Sequence, residues 1–72
     1  MTEMRFVVTG AAGRMGRMLV KAIHETEGCV LVGALERPGS IAIGEDAGLL
    51  AGVGKATVVI TDDPRPVFAE AD

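Results

Sequence analysis

Across one seven-residue loop, Gly10-Ala11-Ala12-Gly13-Arg14-Met15-Gly16, the hydrophobic period of the chain changes, and this restricts the fold more than any other feature. Before the loop, Met4 to Thr9 reads Met-Arg-Phe-Val-Val-Thr, a short, nearly continuous apolar run that suits a strand buried on both faces. After it, from Gly13 to Glu25, Met15, Leu19, Ala22 and Ile23 recur at spacings of three and four, while Arg14, Arg17, Lys21 and Glu25 fall mainly elsewhere. That is the period of an amphipathic helix, with the apolar stripe expected on the core. Gly28 is a stop signal for it. Cys29 to Leu35 is a second buried strand, in which Gly33 marks a site of close approach. Strand, glycine turn, helix and strand make one βαβ unit, expected to cross over right-handed.

Beyond the break at Glu36-Arg37-Pro38-Gly39-Ser40, the stretch from Ile41 to Lys55 is glycine-rich and irregular, with a helical turn expected over Asp46 to Ala51. Ala56 to Thr61 reads as a third strand. Asp63 then caps a short helix with Pro64 at its first position, running to about Glu70. The fold class expected is therefore α/β, a partial Rossmann fold of the doubly wound parallel type: β-α-β, an irregular segment, a third strand and a short helix. In a strand order of 3-2-1-4 the first strand would be central and lack one neighbour. A 72-residue polypeptide of this kind buries a smaller share of its surface than a larger domain does, and a free strand edge invites pairing, so instability or self-association is expected of it alone.

Composition removes several function classes. The chain has two Phe and neither Trp nor Tyr, so it lacks the stacking platform of a single-strand or RNA binder. Its net charge of −3, with no basic run, argues against nucleic acid as a partner. A single cysteine, Cys29, forms no internal disulfide and with one histidine builds no zinc site, which favours a reducing, cytoplasmic setting. No apolar stretch approaches the roughly 20 residues of a membrane span, and the start is too short and acidic for a signal peptide.

A dinucleotide pyrophosphate needs backbone amides brought close to it and a helix N-terminus aimed at it. Gly13 and Gly16 match the second and third glycines of G-x-G-x-x-G, whereas Ala11 stands in the first position with Gly10 just before it. The loop is thus a G-x-x-G-x-x-G variant. Glu36 stands 20 residues after Gly16 at the end of the next strand, where an acid about 20 residues on accepts hydrogen bonds from the adenosine ribose. Arg37 offers forked donors to a 2′-phosphate, and the Glu36-Arg37 pair predicts tolerance of both NADH and NADPH. Arg14, at the helix start, is placed near the phosphates. A P-loop is excluded, because it would need glycine where Met15 stands and a following Lys-Ser or Lys-Thr. His24 reads as a surface or packing residue, Cys29 as a small buried hydrophobe and Lys55 as a solvated loop charge.

Three blocks of sequence, Gly10-Ala-Ala-Gly-Arg-Met-Gly-Arg17, Ala34-Leu-Glu-Arg-Pro-Gly-Ser40 and Gly44-Glu-Asp-Ala-Gly-Leu-Leu-Ala-Gly52, occur in order and at natural spacing. Together they resemble the amino-terminal region of the 4-hydroxy-tetrahydrodipicolinate reductases, also called dihydrodipicolinate reductases. The resemblance implies hydride transfer from NADH or NADPH to a cyclic dicarboxylate, on the diaminopimelate route to lysine, by a cytoplasmic homotetramer. Carried over by position, it implies that Gly10, Ala11, Ala12, Gly13, Arg14 and Met15 line the pyrophosphate, Glu36 the ribose and Arg37 the 2′-phosphate. Thr61 to Asp63 would border the adenine. It also implies that residues 1–72 are the first part of a dinucleotide-binding domain. The family's His-His-Arg-His-Lys segment, its Gly-Thr-Thr-Gly loop and its substrate and tetramerisation domain would lie further on. No catalytic residue is therefore expected in this chain.

Two other classes fit the glycine loop. An extended short-chain dehydrogenase or sugar-nucleotide epimerase shares Val8-Thr9-Gly10-Ala-Ala-Gly13-x-x-Gly16, but the Glu36-Arg37-Pro-Gly-Ser and Asp46-Ala-Gly blocks favour the reductase. A non-catalytic nucleotide-sensing Rossmann module is the second. A cut polypeptide that binds nothing is the remaining alternative.

Overall fold

The computed structural model describes residues 3–71, so Met1, Thr2 and Asp72, the ends of the expected 1–72 unit, lie outside the described residues. In chain order the elements are β1 (Met4–Thr9), α1 (Arg14–Glu25), β2 (Cys29–Leu35), α2 (Ala47–Ala51), β3 (Ile60–Thr61) and α3 (Pro64–Glu70). The three strands form one parallel sheet in the order β1-β2-β3. This is the α/β architecture expected, with β1 paired on one side only among the described residues. Among those residues no helix is long and apolar enough to cross a membrane.

Alternation along the paired strands decides which helix covers which face. Val8 pairs with Ala34, and both sit in the buried cluster with Ala11, Val20, Ala42, Ala47 and Ile60 beneath α1 and α2. Val7 pairs with Gly33 on the opposite face, where α3 packs. A Cβ at Gly33 would overlap the Val67 side chain, so the close approach anticipated there is made by α3 rather than by another backbone. The register shifts between Phe6 and Val7, with Val32 as the extra residue of a bulge.

The core-facing side of α1 differs from the apolar stripe in the sequence. Gly16 and Val20 are buried and Ile23 half-buried, whereas Met15 is 70% and Leu19 47% exposed and Ala22 is also exposed. The physical reason lies at Gly16: a Cβ there would overlap the Gly10 carbonyl and stand 2.8 Å from the Ala11 Cα. Helix and loop meet backbone to backbone at that point. The contact turns the positions four and seven residues later, Val20 and Ile23, onto the sheet and leaves the bulkier stripe at the flank.

The third strand is also shorter than Ala56 to Thr61. Only Ile60 and Thr61 pair with β2, and Thr57 adopts φ 61°, a left-handed conformation that breaks the extended run. The cause is Asp46. Its Oδ1 accepts hydrogen bonds from the amides of Gly48, Leu49 and Ala56 at 2.9–3.0 Å, and its Oδ2 from the amide of Val58 at 3.1 Å. The first two cap α2. The other two take amides that a longer β3 would have offered to the sheet. Residues 44–47 meanwhile run antiparallel beside 58–60, through Ala47 N–H to Val58 O at 2.8 Å and Ile60 N–H to Glu45 O at 2.9 Å. The segment that reads as irregular is thus organised by one carboxylate.

The hydrogen bond from the Ala56 amide is the largest cause holding the Asp46 carboxyl below its ordinary range; burial opposes it, and the Leu49, Val58 and Thr57 amides add to it. A carboxyl depressed in the folded state stabilises the fold above its unfolded pKa, and that stability is lost as pH falls through the folded value. Asp46→Ala is therefore expected to lower the thermal unfolding midpoint at neutral pH, and the gap to the unsubstituted chain should close in strong acid. Melting curves followed by circular dichroism at both pH values check this. A gap that is independent of pH would contradict it.

Candidate functional site

The carboxyl ends of all three strands meet at one rim. Thr9 closes β1, Leu35 closes β2 with Glu36 following it, and Asp62 follows β3; with Gly10, Arg37 and Pro64 they line a single open cleft. In an open α/β sheet this is the edge at which ligands bind. Glu36 and Arg37, singled out from the sequence, are brought together here with the start of the glycine loop. Asp62 occupies after β3 the place that Glu36 occupies after β2.

Three of the loop amides have partners inside the chain. Ala11 N–H donates to Leu35 O at 3.1 Å, Gly13 N–H to Gly10 O at 3.0 Å, and Ala12 N–H to Glu36 Oε2 at 2.9 Å. Ala11 is also 2% exposed, with its methyl in the core. Gly10 turns the chain at φ 66°, a region glycine enters without steric cost. What remains open is the first turn of α1. Helix geometry leaves those amides without an intrahelical partner. Gly13, the N-cap, brings no side chain to cover them. Gly13, Arg14 and Met15 are all exposed. Arg17 steadies this corner, donating from its amide to Gly13 O at 2.9 Å and from Nε to the same oxygen at 3.4 Å.

The two later glycines of the loop do different work. Gly16 is required by the chain itself, as the overlap with Gly10 demonstrates. Gly13 is not: a Cβ there would rest 3.4 Å from the Gly10 carbonyl oxygen, in ordinary contact, and otherwise project into open space. A residue whose side chain is excluded by nothing inside the molecule, yet which stands at an uncapped helix start, leaves room for a group arriving from outside. An anion is the group such a terminus favours.

Around the cleft the charges are mixed. Glu36 is half-buried; one oxygen is held by Ala12 and the other accepts the Arg37 amide at 3.3 Å. Arg14 and Arg37 are exposed, and neither guanidinium makes an ion pair among the described residues. Asp63 serves the fold. Its Oδ1 accepts the Arg65 amide at 3.1 Å to cap α3, and both its oxygens meet the Arg65 guanidinium at 3.2 Å. That side-chain hydrogen bond from Arg65 is the main cause lowering the Asp63 pKa. His24 and Cys29 line a separate hollow with Val20, Ile23, Val30 and Leu31, away from the rim. Sequence reasoning did not single out Thr9, and it did not see that the Ala12 amide is spoken for by Glu36. Asp62, within the Thr61 to Asp63 stretch that the resemblance set beside the adenine, lines the cleft one residue past the end of β3.

Comparison with known proteins agrees in direction. A family profile described as "Dihydrodipicolinate reductase, N-terminus" matches residues 4–72. A 4-hydroxy-tetrahydrodipicolinate reductase of Rhizobium meliloti is 61% identical over 72 residues, all of this chain and 30% of that protein. One from Beijerinckia indica is 53% identical over 72 residues, again all of this chain and 27% of the relative. One from Brucella abortus is 56% identical over 68 residues, 94% of this chain and 25% of the relative. The chain therefore spans between a quarter and a third of the length of these curated relatives.

The two glycines generate opposite expectations. Gly16→Ala forces a backbone apart and should destabilise by about 1–3 kcal/mol, the usual cost of overpacking. Gly13→Ala should change stability by no more than about 0.5 kcal/mol, as at an unconstrained surface position. Denaturant unfolding of the two variants separates them, and an equal loss in both would show that Gly13 is also held by the fold.

Proposed function

Since the chain belongs to the dihydrodipicolinate reductase amino-terminal family, we propose that it forms the first part of the NAD(P)H-binding domain of a reductase acting on 4-hydroxy-tetrahydrodipicolinate. The observation that carries this reading is the uncapped start of α1 beside an acid-bearing cleft at the carboxyl ends of the strands. The residues present fit a dinucleotide: Gly13 leaves space that a Cβ would fill, and the first-turn amides of Arg14 and Met15 have no side-chain cap and no intrahelical partner.

When bound, the nicotinamide supplies a hydride to the substrate. This chain's own residues bind and orient. The Arg14 and Met15 amides take the pyrophosphate, with the Arg14 guanidinium beside them. Gly10, Ala11 and Ala12 shape the turn beneath it, and Gly13 keeps the approach open. Glu36 accepts from the ribose hydroxyls, retaining acceptor capacity beyond its two amide contacts. Arg37 is placed for a 2′-phosphate, with the fork geometry that phosphate recognition uses. Asp62, across the cleft, opposes that phosphate. The reduction of a small dicarboxylate to tetrahydrodipicolinate on the route to diaminopimelate and lysine, a homotetrameric assembly and a cytoplasmic location belong to the whole reductase and are part of the proposal. Residues that move protons lie outside this chain in the same reading.

Titration of the full-length polypeptide with NADH and NADPH tests it, and binding weaker than millimolar for both would overturn it. Glu36→Ala should weaken NADH binding, whereas Arg37→Ala should selectively weaken NADPH binding by about ten- to a hundredfold, the worth of a charge-assisted hydrogen bond. Asp62→Asn should shift preference toward NADPH by removing a like charge near the 2′-phosphate. An Arg37→Ala variant that weakens NADH as much as NADPH would contradict the role assigned to Arg37.

A further inference from the structure

We propose that Glu36 is a positioning residue for the glycine loop as well as a ligand contact, its carboxylate acting as a latch that holds the loop in its binding shape before any dinucleotide arrives. The proposal rests on the dinucleotide reading of the site for its consequence, although not for its geometry. That geometry is a single hydrogen bond between residues 24 apart in sequence, from Ala12 N–H to Glu36 Oε2 at 2.9 Å in a half-buried setting.

The loop needs a tie at that point. Its neighbours on either side are already fixed, Ala11 by Leu35 O and Gly13 by Gly10 O. Ala12 is the one residue between them, and its amide points toward the end of β2, where the main-chain acceptor Leu35 O is already used by Ala11. A side chain supplies the acceptor, that of the first residue after β2. The acceptor is charged, which makes the bond stronger than a neutral one. With the latch closed, the Ala12 amide is withdrawn from the ligand. The anion is then directed to the α1 first turn, whose amides are uncapped. Without it, the Ala12 peptide is free to rotate, and it forms part of the turn that carries Gly13 into place.

The discriminating comparison is Glu36→Gln against Glu36→Ala in the full-length polypeptide, because both remove the charge and only the first keeps an oxygen acceptor. Amide hydrogen exchange at Ala12 in the ligand-free protein reads the latch directly. Exchange should be about tenfold or more faster in Glu36→Ala than in Glu36→Gln, as expected for losing a hydrogen bond of this class. Inorganic pyrophosphate, which carries no ribose, reads the consequence: its affinity should fall in Glu36→Ala and be kept in Glu36→Gln. If Glu36→Ala does not fold, Glu36→Gln against the unsubstituted protein decides, since a neutral acceptor must move the Ala12 amide proton resonance upfield. Equal Ala12 exchange in all three proteins, or an unmoved resonance in Glu36→Gln, overturns the latch. If the unsubstituted protein binds neither pyrophosphate nor NAD(P)H while the exchange difference stands, the cofactor reading fails and the latch does not.

Discussion

The contact between Gly16 and the carbonyl of Gly10 sets the geometry on which the rest of the structure depends. A helix that packs on a turn through two backbones, with no side chain between them, has little freedom in its axis or its rotation. From that contact follow the burial of Ala11, the direction of Val20 toward Ala34 and Val8, and the exposure of Met15 and Leu19. It also aims the first turn of α1 along the rim where β1, β2 and β3 end. The same close approach that makes the core at this end therefore leaves the helix N-terminus open at the site.

Two carboxylates organise the backbone around this frame, and they differ in how much of their acceptor capacity the fold itself uses. Asp46 accepts four main-chain amides, which fills the roughly four lone-pair positions a carboxylate offers. Nothing is left for a ligand, and its work is to hold α2, the 44–47 edge and the turn before β3 together. Glu36 accepts two, one from Ala12 and a longer one from Arg37, and keeps capacity at the cleft. Charge alone does not distinguish these acids in the sequence. The number of amides that converge on each does.

Much of the architecture was legible residue by residue. β1 and β2 were read to their observed ends, and Asp63 with Pro64 marked the start of α3 correctly, because strand composition and capping chemistry act locally. The face of α1 was misread because a periodicity count weights Met15 and Leu19 above Gly16, although the absence of a side chain is what brings a helix closest to its support. The third strand was overextended because Thr57 to Val59 carry strand-forming side chains, while the partner that took the Ala56 and Val58 amides lies ten and twelve residues earlier in the chain. No local pattern reports that competition. The resemblance in three blocks, which the family match and the reductase relatives support, carried the functional reading further than the glycine pattern did, since the loop departs from the usual fingerprint at Ala11.

By itself the sequence determined the order of elements, the parallel sheet and the presence of an acid at the expected distance from a glycine turn. Each of these follows from short-range preferences or from spacing along the chain, and the folded structure kept all three. Which amides remain available to an anion was decided only in three dimensions. Ala11, Ala12 and Gly13 look equivalent to Arg14 and Met15 in the sequence, yet the first three give their hydrogens to Leu35, Glu36 and Gly10. A backbone donor can be spent once, and only the folded chain brings its acceptor within reach.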